Sequence, residues 1–201
     1  MGVDIMFIER AIEKTVQSIS DAFPVLLLTG PRQVGKTTLL KKMADEHRKY
    51  VSLDNPTNRA LAKSEPELFL QRFSPPVLID EVQYAPELFD CIKGYVDEHK
   101  NCGDFWLTGS QTFHMMKNVT ESLAGRVGVV RLLGLSNSEI NGNEFSLFEV
   151  EPRALIRKLD SFKKMTMPEI FERIHKGSMP RLYELPQSNR DDIIFGNLHQ
   201  P

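Results

Sequence analysis

Cysteine is scarce in this sequence of 201 residues, which contains only Cys91 and Cys102. They form no Cys-x-x-Cys pair and no cluster with histidine at metal-ligand spacing, which argues against a disulfide framework and against structural zinc. Neither sign of charge is in excess, since 25 Lys and Arg stand against 27 Asp and Glu, a net charge of −2. The composition therefore excludes a global cationic field that would gather nucleic acid or anionic membrane.

Long apolar runs are absent as well. Undiluted runs such as Val25 to Leu28 are far shorter than the roughly 20 residues of a bilayer span. The first residues lack the basic start and the apolar stretch of a secretory signal. We therefore expect no membrane partner and a cytoplasmic location.

Short apolar segments alternate with segments of helical periodicity. The apolar segments lie at residues 24–29, 49–54, 77–79, 105–110 and 127–133. Helical spacing predicts helices over residues 7–20 and 86–100, and another that begins at Ser64 with a capping-box spacing to Glu67. Strands that alternate with helices favour a parallel sheet covered on both faces. The predicted fold class is α/β, with a five-stranded parallel sheet.

The alternation fades after Leu135. One more capped helix is predicted from Thr166 to Lys176, ended by Gly177. Residues 151–181 carry eight Lys or Arg against four acids, a local excess of four positive charges. We predict one domain over residues 1–140 and a short, mostly helical remainder over 141–201, the start of a truncated region.

The loop after the first strand fits the pattern Gly-x4-Gly-Lys-[Ser/Thr] between a strand and a helix. Glycines let such a loop turn its N–H groups toward a β-phosphate, and the start of the helix favours the same negative charge. Lys36 is predicted to reach the β- and γ-phosphates and Thr37 to bind Mg²⁺. The predicted nucleotide-binding residues are Gly30, Pro31, Arg32, Gln33, Val34, Gly35, Lys36, Thr37 and Thr38.

Two acids, Asp80 and Glu81, end the third apolar segment. Asp80 is the expected second magnesium contact and is expected to hold the ion through its water shell, because Mg²⁺ keeps several waters and takes few carboxylates. Glu81 beside it can orient and deprotonate a water, which favours hydrolysis over phosphoryl transfer to a bound hydroxyl. A solvated strand end is the alternative interpretation of the same pair.

Two further segments hold candidate catalytic residues. Thr108, Gly109 and Ser110 end the fourth strand, where a hydroxyl could touch the γ-phosphate or the attacking water, or simply make a turn. Arg126 could supply positive charge to a phosphate of a neighbouring subunit; spacing fits a plain surface arginine equally well. The sequence lacks Asn-Lys-x-Asp, which reads guanine, and Leu-Ser-Gly-Gly-Gln, typical of transport ATPases. ATP is therefore the favoured nucleotide.

Four motifs, taken in order, resemble those of a family of prokaryotic AAA+-type P-loop ATPases. They are Thr29–Leu39, Val77–Gln83, Trp106–Ser110 and Ser122–Arg126. The resemblance covers about residues 6–140. It implies a three-layer P-loop NTPase sandwich of the additional-strand type, with a Walker A loop at Gly30 to Thr37 and a Walker B pair at Asp80 and Glu81. It also implies a sensor hydroxyl, Ser110 first and Thr108 next, and a finger-like Arg126. Similar proteins usually continue into a second domain.

Three functions remain in competition. The first is hydrolysis of ATP to ADP and phosphate with Mg²⁺, in which Lys36, Glu81, Ser110 and Arg126 are catalytic and Arg126 implies a homo-oligomer. The second is a small P-loop kinase, against which the Asp80 and Glu81 pair argues. The third is a nucleotide-gated module whose basic stretch at 151–181 holds DNA or a protein partner, although charge runs are usually solvated faces.

Overall fold

The computed structural model describes residues 7–110, 117, 119, 121–143, 150–161 and 164–184. The helices are α1 Glu13–Ala22, α2 Lys36–Met43, α3 Pro56–Ser64, α4 Pro66–Arg72, α5 Leu88–His99, α6 Asn137–Ile140, α7 Pro152–Ser161, α8 Met167–Lys176 and α9 Arg181–Glu184. The strands are β1 Val25–Gly30, β2 Lys49–Ser52, β3 Val77–Asp80, β4 Phe105–Ser110 and β5 Val127–Arg131, and a 3-10 turn spans Val82–Tyr84. Within the described residues, no helix is long and apolar enough to cross a membrane.

The strands form a five-stranded parallel sheet in the order β2-β3-β4-β1-β5. The fold is therefore the predicted α/β class. In register, Gly30 of β1 lies opposite Ser110 of β4, and Ser52 of β2 lies opposite Asp80 of β3. Because the strands are parallel, their carboxyl ends share one edge, where open α/β sheets place their ligand sites.

Both faces of the sheet are covered, which explains the undiluted apolar runs of the central strands. Val25, Leu26, Leu27 and Leu28 are all fully buried. One face packs in a cluster with apolar residues of α3, α4 and α5, and includes Val25, Leu27, Val77, Ile79, Phe105 and Leu107. On the other face, Trp106 donates from Nε1 to Ser20 Oγ of α1 at 2.8 Å. This arrangement makes three layers.

Capping explains where several helices begin and corrects one prediction. Asn55 accepts from the N–H groups of Thr57 and Asn58 at the start of α3. The predicted capping box of Ser64 with Glu67 is wrong, because Ser64 ends α3 and its hydroxyl donates to Ala60 O. Pro66 begins α4 instead, without a side-chain cap.

The helix predicted over Thr166 to Lys176 is confirmed. α8 spans Met167–Lys176 and begins with a capping box of Thr166 and Glu169. Gly177 follows it at φ +70°. Local signals therefore defined this helix completely.

The first helix starts later than its apolar spacing predicts, at Glu13 instead of residue 7. The Glu139 carboxylate accepts from Ala11 N at 2.9 Å and from Arg10 Nε at 3.0 Å. The bond from Ala11 N keeps residue 11 out of the helical pattern, because an N–H that binds a side chain does not bind the carbonyl four residues earlier.

The described contacts divide the chain into two compact units. One is Ile12–Leu133, which contains the sheet, and the other joins Met1–Ala11 with Gly134–Pro201. The predicted domain limit after residue 140 stays a prediction.

Candidate functional site

The glycine loop leaves β1 at a position where no side chain fits. Gly30 has φ +150°, and a Cβ placed there would lie 2.1 Å from the backbone oxygen of Leu132. That oxygen is fixed, because Leu132 N donates to Thr29 O at 2.8 Å and so continues the pairing of β5 with β1. Packing of the backbone against β5 therefore demands the first glycine of the motif.

The second glycine turns the chain into α2. Gly35 is the N-cap in the left-handed region, with φ +91°, and α2 begins at Lys36. Leu39 N donates to Gly35 O, so the N–H groups of Lys36, Thr37 and Thr38 precede the first full helical bond. Free N–H groups at a helix start favour an anion, which fits the predicted phosphate site.

Lys36 folds back over the loop. Its Nζ donates to Gly30 O at 3.1 Å and to Pro31 O at 2.8 Å, and the residue is 5% exposed. Burial lowers the pKa of Lys36, while the charges of Glu81 and Asp80 oppose that change. The ammonium is thus partly desolvated and bonded to neutral carbonyls, so a polyphosphate would supply countercharge at this point.

Asp80 is the centre of the polar contacts. Thr37 Oγ1 donates to Asp80 Oδ1 at 2.6 Å, and the buried Thr108 hydroxyl donates to the same oxygen. Tyr50 of β2 donates from its hydroxyl to Asp80 Oδ2 at 3.3 Å. Burial, followed by the charge of Asp80, raises the pKa of Tyr50, so the phenol remains a donor. Four elements, β2, β3, β4 and α2, thus meet at one carboxylate.

Glu81 lies beside this centre in a left-handed backbone conformation, with φ +58° and ψ +47°. Its N–H donates to Thr108 Oγ1 at 3.1 Å, and its carboxylate accepts from Gln83 Nε2. A non-glycine residue adopts this conformation only where its surroundings hold it, and such residues cluster at functional sites. Thr108 therefore binds both acids, one through its hydrogen and the other through its oxygen.

Ser110 and Arg126 occupy opposite edges of the sheet. Ser110 ends β4 at the carboxyl edge, half-buried and opposite Gly30. Arg126 precedes β5 at the amino edge, where its carbonyl accepts from Val25 N. Its guanidinium donates from two nitrogens to Asp97, at 2.5 and 2.9 Å. Arg126 is thus remote from the glycine loop of its own chain.

Sequence reasoning missed two members of the site. Tyr50 carries no local signal, because only the pairing of β2 with β3 brings it to Asp80. Gln83 lies within the Val77–Gln83 motif, but its role depends on the left-handed turn at Glu81. Thr108, the second candidate for the sensor, makes the contacts with both acids.

Residues 22–141 match the sequence family described as an AAA domain. The chain belongs to this family. The match covers the glycine loop, the acidic pair and the end of β4, so the AAA domain contains the whole cluster around Asp80. Membership of this family and the P-loop fold support a nucleotide-binding, ATPase-type function of the AAA domain.

Two curated relatives share this AAA domain. The uncharacterized proteins Rv2008c of Mycobacterium tuberculosis and Mb2031c of Mycobacterium bovis are each 36% identical to the chain over 121 residues. The aligned part is 60% of this chain and 27% of each relative. The chain therefore spans only about a quarter of the length of these relatives.

Solved structures give weaker likenesses. A DnaC helicase loader has a TM-score of 0.40 and 13% identity, covering 65% of this chain and 96% of the loader. A Bacteroides Pif1 bound to single-stranded DNA has a TM-score of 0.38 and 12% identity, covering 79% and 57% respectively.

Proposed function

We propose that this AAA domain binds ATP with Mg²⁺ and hydrolyses it to ADP and phosphate. One observation carries the proposal: the hydroxyl of Thr37, at the start of α2, lies 2.6 Å from the carboxylate of Asp80, at the end of β3. This contact joins the glycine loop to the acidic pair, and hydrolysis would need both segments at one point. Neither the glycine loop nor the acidic pair alone would suffice for hydrolysis.

The loop residues Gly30 to Thr38 would hold the triphosphate. Its charge would be balanced by the free N–H groups at the start of α2 and by Lys36. Lys36 would exchange its bonds to Gly30 O and Pro31 O for phosphate oxygens, which bind an ammonium more strongly because they are charged.

The oxygen atoms of Thr37 and Asp80 fit a magnesium ion. Both are hard ligands, they already lie side by side, and Mg²⁺ typically takes one or two protein ligands together with water and phosphate oxygens. Bound Mg²⁺ would neutralise charge on the phosphates. Thr108 and Tyr50 would then keep Asp80 oriented through the bonds that they already donate.

Glu81 would act as the general base for the attacking water, and a hydroxyl of β4 would report the γ-phosphate. The hydroxyls of α2 and β4 both donate to Asp80, whereas the Glu81 carboxylate accepts from Gln83 Nε2. A carboxylate has about four lone-pair sites, so Glu81 can also accept a proton from water. The kinase alternative predicts instead that the γ-phosphoryl group passes only to an added acceptor, with no release of free phosphate.

The decisive test is thermal unfolding with and without millimolar ATP and magnesium. If the dissociation constant is near micromolar, mass action adds about 4 kcal/mol of stability. For a chain of this size that corresponds to a shift of about 8 to 16 °C. Lys36→Ala should abolish the shift, and the exposed control Lys63→Ala should keep it. A shift unchanged in Lys36→Ala would locate the ligand elsewhere.

Hydrolysis needs a separate measurement, phosphate release without any acceptor. Glu81→Gln should retain the thermal shift but lose about 10²- to 10⁴-fold in rate, because the amide keeps the shape and removes the base. Equal turnover in Glu81→Gln would remove Glu81 from the mechanism.

A DNA or protein partner remains the further alternative. The basic stretch over residues 151–181 supports it, although the extra charge there is small. Retention of DNA that falls steeply with salt would favour the binding module, because release of counterions makes phosphate contacts salt-dependent.

A further inference from the structure

The nitrogen and the oxygen of the Gln83 side-chain amide have different surroundings. Its Nε2 donates to the Glu81 carboxylate. Its Oε1 is buried and, among the described residues, meets no donor. The amide lies in the 3-10 turn Val82–Tyr84 that directly follows Glu81.

The carboxylate accounts for this orientation. A carboxylate only accepts hydrogen bonds, so it selects the N–H end of the amide, and a flipped amide would bring two oxygens together. The selected orientation leaves a buried carbonyl oxygen without a partner, which is unfavourable for folding. An apolar side chain of similar length would avoid that cost, so stability of the turn does not explain a glutamine here.

Glu81 is consequently held at its backbone N–H and at its carboxylate. Thr108 Oγ1 accepts from its backbone N–H, and Gln83 donates to its carboxylate. The charges of Glu81 and of Lys36 in α2 attract each other, and Asp80, the preceding residue in the chain, carries the same charge as Glu81. Without Gln83, these two charges would decide the position of the carboxylate.

We propose that Gln83 is a positioning residue, whose amide holds the Glu81 carboxylate in the orientation from which it accepts a proton from the attacking water. The inference rests on the proposed hydrolysis of ATP. A general base works only within hydrogen-bond reach of the proton that it removes, so a carboxylate free to turn toward Lys36 would be less effective. Gln83 acts through Glu81 and not on the nucleotide.

The kinetic test uses Gln83→Met, which keeps the length of the side chain and removes the donor. We expect kcat to fall about ten- to hundred-fold, as for other residues that orient a catalytic group, while KM for ATP stays within about twofold. Gln71→Met, an exposed glutamine of α4, is the matched control and should change neither value.

The same substitution in the Glu81→Gln variant tests whether Gln83 acts on kcat through Glu81. In Glu81→Gln, which lacks the base, Gln83→Met should cause no further fall in kcat. An unchanged or raised kcat in Gln83→Met alone would overturn the proposal, and so would an equal further fall in the Glu81→Gln background.

A measurement without nucleotide separates this inference from the function on which it rests. The unfolding temperatures of Gln83→Met, Glu81→Ala and the double variant should deviate from additivity by about 3 °C or more, because the charged hydrogen bond couples the two residues. Additive shifts of the unfolding temperature would contradict the hydrogen bond between Gln83 and Glu81, even if ATP is hydrolysed. Coupling in a chain that binds ATP but releases no phosphate would instead overturn the proposed hydrolysis and the role of Gln83 in it.

Discussion

At the scale of single residues, the two hydroxyls at the end of β4 have different surroundings. Thr108 is fully buried, donates to Asp80 and accepts from Glu81 N. Ser110 is half-buried at the carboxyl edge, opposite Gly30. We expect Thr108 to set the geometry of the acidic pair and Ser110 to be the hydroxyl with access to a phosphate.

Thr108→Val and Ser110→Ala should therefore separate stability from activity. Thr108→Val keeps the shape but leaves Glu81 N without its acceptor, so the free energy of unfolding should fall by about 1 to 3 kcal/mol and hydrolysis should fall as well. Ser110→Ala should change stability by less than about 0.5 kcal/mol and affect hydrolysis alone. Urea denaturation and phosphate release measure the two effects. A Thr108→Val chain as stable and active as the parent would refute the role given to Thr108.

At the scale of elements, the short helix α6 shows how one carboxylate can join distant segments. Glu139 accepts from Ser136 N within its own capping box, and from Ala11 N and Arg10 Nε far away in the sequence. Glu139 and Arg10 are 7% and 6% exposed. Burial alone would raise the pKa of Glu139, but these hydrogen bonds and the Arg10 charge together lower it.

A lowered pKa makes stability depend on pH. The contribution of Glu139 should be complete above the pKa of an unfolded glutamate, about 4.3, and should vanish as the pH falls through the lower folded value. Glu139→Gln should therefore be less stable at pH 7 by about 3 kcal/mol. It should also lose less stability between pH 7 and pH 3 than the parent does.

Urea denaturation followed by circular dichroism at the two pH values tests this prediction. Glu172→Gln, an exposed glutamate of α8, serves as the control and should behave like the parent. If Glu139→Gln and the parent lose the same stability on acidification, Glu139 is not the group that titrates.

At the scale of the whole molecule, Arg126 bears on assembly. It lies at the amino edge of the sheet, away from the glycine loop of its own chain, and is paired with Asp97. The hydrogen bond from Arg126 lowers the pKa of Asp97, so the pair stays charged on both sides near neutral pH. If Arg126 acts as a finger-like arginine, it must therefore reach the candidate site of another copy of the chain.

If Arg126 acts between copies, the specific rate of phosphate release should rise with protein concentration. Loss of a trans arginine costs about 10³- to 10⁵-fold in comparable phosphoryl transfers, so Arg126→Ala should be slow at every concentration. Asp97→Asn, which frees the guanidinium without removing it, should keep the rise. A flat dependence in the parent would exclude a shared site.

The sequence alone predicted the elements that depend on neighbours along the chain. The buried strands follow from undiluted apolar runs, α8 from its capping box, and the glycine loop from residues that only a tight turn before a helix requires. Each of these signals lies within a few residues, where local sterics and hydrogen bonding decide the conformation. The acidic pair, and with it the expected hydrolysis, was likewise predicted from adjacent residues.

Only the tertiary structure decided which of these residues meet. Tyr50 and Thr108 reach Asp80 because β2 and β4 flank β3, and Arg126 lies far from the loop because β5 starts at the other edge of the sheet. The delayed start of α1 likewise depends on Glu139, 128 positions from Ala11. Such contacts follow from the order of the strands and the packing of side chains across them, which local propensity does not encode.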